Sequence, residues 1–265
     1  ALFWMPQATS MMGVPTFYTR LLSEPMFTSD VSRHMRLFIS GSAPLLAATH
    51  IEFEDRTGHR ILERYGMTET NMSTSNPYRG ERRAGTVGMP LPGVTMRLAD
   101  EAGKIVIKGE IGTIELRGDN VFTGYWEMPE KTAESFRDDG FFITGDMARE
   151  DEDGYITIVG RDKDLIISGG LNIYPKEIES LIDAHHGVTE SAVIGVPHPD
   201  FGEGVVAILV ADDNVTADAV MAGISDKLAK FKQPKKILFV DALPRNTMGK
   251  VQKAVMRKEH EKMFS

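Results

Sequence analysis

Residues 35–70 read MRLFISGSAPLLAATHIEFEDRTGHRILERYGMTET, and the order of periodicities in this stretch decides the fold. MRLFIS (35–40) is a short apolar run of the kind a buried strand carries. The segment that follows SGSAP has amphipathic helical spacing to about Thr57 and is closed by Gly58, a residue that ends helices. RILERY (60–65) then predicts a second strand. Strand, helix and strand in that order imply a parallel sheet whose functional loops lie at the carboxyl ends of the strands. SGSAP (40–44) and YGMTET (65–70) both stand at such ends.

The texture changes twice further on. From about Gly85, short stretches with period-two alternation, VTMRLAD, KIVIKG, TIELRG and YITIVG, are separated by Gly, Asp and Pro turns and predict a small barrel-like β region. After GRDKD (160–164) comes an α+β pattern: helix PKEIESLIDAHH, strands SAVIGV and GVVAILV, helix ADAVMAGISDKLAKF, strand KKILFV and a final helix. The expected organisation is an α/β part to about residue 84, a β region over about 85–160, a hinge at 161–163 and a small α+β domain over 164–265.

Composition narrows the class. The chain has 265 residues, 42% of them hydrophobic, enough to bury a sizeable core. Its net charge of −8 argues against a nucleic-acid binder, although Lys227 to Lys262 is locally basic. That run suits either a phosphate-facing surface or a solvated helix face. There are no cysteines, so disulfides and thiolate ligands are excluded. No apolar run approaches the roughly 20 residues of a membrane span, and no export signal is recognisable, so a cytoplasmic protein is expected. The opening ALFWMPQATSMMGVPTFY resembles the middle of a fold rather than a start, which predicts a fragment.

Several residues carry chemistry. In YGMTET, Gly66 allows a tight turn, Thr68 offers a hydroxyl to a phosphate oxygen, Glu69 offers a hard oxygen to Mg²⁺, and Tyr65 offers a flat surface to a base. The same hexapeptide also suits a plain polar turn. Asp146, at the end of FFITGD (141–146), suits the two hydroxyls of a ribose, or an ordinary turn. The pair Gly169-Gly170 permits close approach to a thin ligand. Lys250 follows a glycine in PRNTMGK, where a solvated loop lysine is the simplest reading.

Taken together and in order, SGSAPL, YGMTET, GTIELRGDNVFTGYW, PEKTAESFRDDGFFITGDM, GRDKDLIISGG, YPKEIE and LPRNTMGK resemble the adenylate-forming superfamily of acyl-CoA synthetases, firefly-type luciferases and peptide-synthetase adenylation domains. The resemblance runs over essentially the whole chain. It implies the end of a large α/β plus β-barrel AMP-binding domain followed by a mobile C-terminal lid. The Ser/Thr/Gly-rich phosphate loop of the family is not among these residues. The chain is therefore expected to be the C-terminal half of a longer enzyme, needing its N-terminal half for turnover.

The resemblance also implies roles. Gly41, Ser42, Ala43 and Pro44 with Tyr65 would sandwich the adenine of ATP or AMP, and Gly66 and Met67 would also be among the cofactor-binding residues. Thr68 would contact the α-phosphate, Glu69 would bind Mg²⁺, and Asp146 with Arg161 would grip the ribose. Lys250 would bridge the attacking carboxylate and the α-phosphate. The lid would turn about Lys163 and bring the Gly169-Gly170 strand to the pantetheine of coenzyme A. Many relatives carry a lysine where this chain has Ile167 and Ser168, so that lysine's role does not transfer. An acetyltransferase acting on Lys250 would remove its charge and switch adenylation off.

Arg64 singles out the acid. Most relatives place a small or neutral residue just before the Tyr-Gly loop, because fatty and aryl acids need an apolar pocket. A guanidinium there disfavours a fatty chain and favours a second carboxylate. GVPTFYTR (13–20) together with ERYGMTET (63–70) resembles the malonyl-CoA synthetases, in which Arg20 and Arg64 would both serve the distal carboxylate. Malonate or methylmalonate is the expected substrate class. The rivals are a ligase for acetate or an aryl acid and a noncatalytic nucleotide-binding fragment. Amino-acid adenylation and luciferin chemistry fit the arginine less well.

Overall fold

The computed structural model describes residues 5–247 and 249–264. Its first sheet begins with β1 (Ser10–Gly13), followed by helices α1 (Pro15–Leu22) and α2 (Ser29–Ser32), strand β2 (Leu37–Ser40), helix α3 (Ala47–Thr57) and strand β3 (Leu62–Met67). β1, β2 and β3 pair in parallel, as the strand–helix–strand reading predicts. Strands β4 (Asn71–Ser75) and β5 (Met89–Pro90) extend this sheet antiparallel. Gly58 closes α3 in the left-handed conformation, its amide on the Glu54 carbonyl. Under the sheet, Phe53 of α3 packs edge-on against Tyr18 and Phe38 with ring centroids 5.4 and 4.9 Å apart. His50, also on α3, is 1% exposed with both ring nitrogens unpaired. Burial holds its pKa below the ordinary value, so the neutral ring serves as core filler.

The β region is a four-stranded sheet in the order β6 (Thr95–Ala99), β7 (Ile111–Arg117), β8 (Phe142–Glu150), β9 (Ile156–Arg161), with helix α4 (Pro129–Glu134) between β7 and β8. Val87 and Gly88 exchange backbone hydrogen bonds with Ile156, joining the approach to β5 to the start of β9. KIVIKG (104–109) is not a strand. Ile105 makes a single bridge to Ala99, and Ile105 and Ile107 are 61% and 70% exposed. The Asp100–Lys104 turn folds this segment back at the edge of β6, where no second strand meets it, and period-two alternation without a neighbour makes no ladder.

The chain divides into two compact units between Ile158 and Val159. The second contains β10 (Ile166–Ser168), β11 (Leu171–Ile173), α5 (Pro175–Asp183), β12 (Val188–His198), β13 (Gly202–Ala211), α6 (Ala217–Ile224), β14 (Lys236–Phe239) and α7 (Lys253–Glu259). Its sheet runs β11-β10-β13-β12, and β14 pairs in parallel with β13 along the edge not taken by β12. The apolar runs of β12 and β13 are buried on both faces. Val193, Val205, Ala207 and Leu209 face a core shared with Ile178 and Ile182 of α5 and Val220 and Ile224 of α6. Ala192, Ile194, Val196, Val206 and Ile208 face a second core with Met256 of α7. Alternate residues of one apolar run thus serve two cores. Helix α6 is shorter than its sequence pattern. It stops at Ile224, and the Gln233 side chain donates to the carbonyls of Ser225 and Leu228 while Leu228 turns into the core at 5% exposure.

A half-buried carboxylate, Asp183, is expected to give this unit a pH dependence. Burial pushes the Asp183 carboxyl up to about 6, against the hydrogen bond from Ser191 Oγ at 2.6 Å and the charge of Lys176. Between the ordinary carboxyl value of 3.8 and about 6, the folded state holds a proton that the unfolded state has released. Stability therefore falls as pH rises through that window, and up to about 3 kcal/mol is missing above it. Asp183→Asn keeps the acceptor for Ser191 and removes the charge. Denaturant titrations should show the variant more stable near neutral pH, with the slope across the window flattened; an unchanged slope would overturn this account.

Among the described residues no helix is long and apolar enough to cross a membrane.

Candidate active site

β2 ends at Ser40, which pairs with Glu63 early in β3, so Gly41 of the GSAP loop lies beside Arg64 as β3 continues toward MTET. Gly41 leaves β2 and Ser42 takes a left-handed φ of 68°. Arg64, on β3, lies directly over Gly41: a methyl group there would stand 3.4 Å from Arg64 Cγ. The guanidinium reaches across to β1, where Nη2 donates to Met12 Sδ at 2.7 Å. Its Nε is buried and has no hydrogen-bond partner among the described residues. A thioether is a weak acceptor, so this arginine has donors to spare toward an anion. Arg20, in contrast, stands exposed on α1 with no ion-pair partner among the described residues. The structure joins Arg64 to Gly41 and Met12, and among the described residues no hydrogen bond or ion pair joins Arg20 to them.

The β3–β4 hairpin carries the rest of the loop. Gly66 is obligatory, because a Cβ there would lie 1.9 Å from the Asn71 carbonyl oxygen. Met67 pairs with Asn71, leaving Thr68, Glu69 and Thr70 as the tip. Thr68 is exposed. The Phe122 amide donates to the Glu69 carbonyl at 2.7 Å, the Asn120 side-chain amide to the Thr70 carbonyl at 2.7 Å, and the Tyr125 hydroxyl to Glu69 Oε1 at 3.1 Å. Sequence reading missed these three supports. The quoted motif GDNVFTGYW contained them, and nothing local says that they reach back about fifty residues.

Tyr65 and Asp146 come together although 81 residues separate them: the phenol donates to Asp146 Oδ2 at 2.7 Å. Tyr65 is only 9% exposed and packs with Leu98, Ile114 and Leu116. Asp146 is 5% exposed and sits inside β8 rather than at its end, with Gly145 before it at φ 70°. A buried phenol needs an acceptor and a buried carboxylate needs donors, so each answers the other. Tyr65 is therefore less open to a stacked base than the motif suggested.

Mg²⁺ would have few protein ligands here. Among the described residues no group of three acidic or histidine side chains is placed to hold a metal ion. Glu69 Oε2 accepts no hydrogen bond among the described residues, and Mg²⁺ commonly takes one or two carboxylates plus substrate phosphates and water. The residues fit a metal that arrives with a nucleotide.

In the second unit, Gly169 and Gly170 form the two-residue turn of the β10–β11 hairpin, with φ of 59° and 77°. Two positive φ values in a two-residue hairpin account for both glycines. The Gly169 amide is held by the Phe201 carbonyl at 2.8 Å. Lys250 closes a tight turn rather than ending a loose loop. Its amide donates to Asn246 Oδ1 at 2.9 Å, its carbonyl accepts from the Asn246 amide at 3.0 Å, and Arg245 bridges to Val251 antiparallel. The Lys250 side chain is exposed. Arg161 ends β9, and Lys163 lies exposed in a short 3₁₀ turn from Asp162 to Asp164.

The family description "AMP-binding enzyme" matches residues 2–126, and "AMP-binding enzyme C-terminal domain" matches residues 177–250. The chain belongs to the adenylate-forming AMP-binding enzymes. It is 41% identical to a malonate–CoA ligase of Arabidopsis thaliana over 96% of this chain and 45% of that protein. It is 38% identical to a long-chain-fatty-acid–CoA ligase of Yersinia pestis, over 96% of this chain and 46% of that protein. ATP-bound MatB from Rhodopseudomonas palustris superposes with a TM-score of 0.96 at 62% identity, over 100% of this chain and 53% of that structure. The chain spans about half the length of the relatives it matches. The resemblance to adenylate-forming ligases read from seven ordered motifs is borne out.

Proposed function

We propose that the protein to which this chain belongs ligates malonate to coenzyme A. The carboxylate first attacks the α-phosphate of ATP, giving malonyl-AMP and pyrophosphate. The coenzyme A thiolate then displaces AMP. Oxide is a poor leaving group and AMP a good one, so the chemistry is carried by positioning and by offsetting charge where two anions meet. Lys250 supplies that charge, Thr68 contacts the α-phosphate, Glu69 holds Mg²⁺, and Asp146 and Arg161 hold the ribose. Lys163 is the hinge about which the lid presents either Lys250 or Gly170 to the reacting atoms.

The observation that carries the choice of acid is Arg64 within β3, its Nε buried over Gly41 and without a hydrogen-bond partner among the described residues. Overall identity does not make that choice, since relatives named for malonate and for long-chain fatty acids match at 41% and 38%. An aliphatic tail laid against this guanidinium would leave a desolvated charge unpaired, whereas a second carboxylate would satisfy it. Arg20 is assigned to the same carboxylate by its motif.

The test is steady-state kinetics of the full-length protein. Arg64→Ala should raise the KM for malonate at least about tenfold, the loss of one charged hydrogen bond, and leave the KM for ATP within about twofold. Arg64→Lys should rescue only part of the loss, because a point charge does not reproduce the paired donors. Equal damage to ATP and malonate would make Arg64 structural. A wild-type preference for octanoate or acetate over malonate would keep the ligase and discard the diacid.

A further inference from the structure

The segment from Asn120 to Tyr125 has no role in the scheme above, yet it touches the tip of the β3–β4 hairpin three times. The Phe122 amide and the Asn120 side chain hold the backbone of Glu69 and Thr70, each at 2.7 Å. Only Tyr125 reaches a side chain, donating its hydroxyl to Glu69 Oε1 at 3.1 Å.

Tyr125 is itself tightly held. Its amide donates to Thr132 Oγ1 at 2.9 Å, its ring meets Phe122 edge-on at 4.8 Å, and Lys131 Nζ of α4 lies 4.4 Å above the ring centroid. α4 therefore fixes Tyr125, and Tyr125 fixes Glu69. A half-buried glutamate left to itself samples many rotamers, and a metal that needs one of them must first select it. A hydroxyl donor selects the rotamer without cancelling the charge, as partners of metal-ligating carboxylates do elsewhere.

We propose that Tyr125 is a positioning residue: its hydroxyl occupies Glu69 Oε1 and presents Oε2 to the Mg²⁺ of a bound magnesium–nucleotide complex. The proposal rests on the reading of Glu69 as the metal ligand. Tyr125→Phe removes only the oxygen and keeps the contacts to Phe122, Lys131 and Thr132.

In the full-length protein, ATP binding followed by calorimetry while Mg²⁺ is titrated should show half-saturation moved about tenfold higher by Tyr125→Phe, the range for lost partners of metal ligands. Binding of AMP without metal should be unchanged. Glu69→Gln serves as the reference. If Glu69→Gln shifts the Mg²⁺ dependence and Tyr125→Phe does not, the positioning role is overturned and Glu69 stands. If neither variant shifts it, Glu69 is not the metal ligand and both readings fall. If Tyr125→Phe weakens metal-free AMP binding by the same factor, Tyr125 is a prop for the hairpin and the proposal is again overturned.

Discussion

Lys250→Ala in the full-length enzyme should lower the rate of acyl-adenylate formation by about 10²–10³, the usual cost of removing one preorganised charge from a developing anion. The thioester step, started from supplied malonyl-AMP, should keep most of its rate if, as proposed, the lid presents Gly170 rather than Lys250 in that step. The fold should not suffer. The turn that carries Lys250 is held by the Asn246 side chain and by the amides of Gly249 and Lys250, none of which involves the lysine ammonium. Thermal unfolding of the variant should therefore match that of the wild type. Single-turnover assays of the two half-reactions give the answer: equal loss in both would remove the division of labour between two lid orientations. A preparation fully acetylated at Lys250 should behave as the alanine variant does, since acetylation also removes the charge.

Glu115→Ala should destabilise the first unit by about 3 kcal/mol, at the lower end of the range for breaking a buried ion pair. Glu115 lies on β7 with its side chain fully buried, and it accepts from Arg97 Nε and Arg137 Nε, both at 2.7 Å. Arg97 also reaches Asp139 at 2.5 Å and stacks over Phe141 at 3.9 Å. Removing the carboxylate leaves two guanidinium groups, 16% and 27% exposed, facing each other without their shared anion. Glu115→Gln keeps the shape and one acceptor and should cost less. Asp139→Ala should cost at most about 1 kcal/mol, because that carboxylate is half exposed and water can replace it. Denaturant unfolding of the three variants checks the order; an Asp139 effect equal to that of Glu115 would place the strength of the cluster at the surface instead.

The elements most clearly written in the chain are those whose signals are local. The α3 pattern with Gly58 behind it, the alternating runs of β6, β7 and β9, and the apolar β12 and β13 all lie where their periodicity predicts. Errors fall where a local pattern needed a distant partner. KIVIKG alternates as a strand does, but it meets β6 in one isolated bridge, Ile105 to Ala99, and makes no ladder. The helical spacing after Ile224 continues on paper, while Gln233 and the burial of Leu228 stop the helix in space.

The candidate site divides along the same line. Order and identity of motifs were enough to name the family and to pick out Arg64, Glu69, Asp146 and Lys250, because each motif is a short run whose residue types suit one piece of chemistry. Contacts between motifs needed the fold. Tyr65 on Asp146, Arg64 over Gly41 and against Met12, Tyr125 on Glu69 and Arg137 on Glu115 join residues from 22 to 81 positions apart. Spacing along a chain constrains the backbone of a helix or a strand. Which side chains meet across a core depends on how sheets and loops pack, and that packing is set by the burial of the whole unit at once.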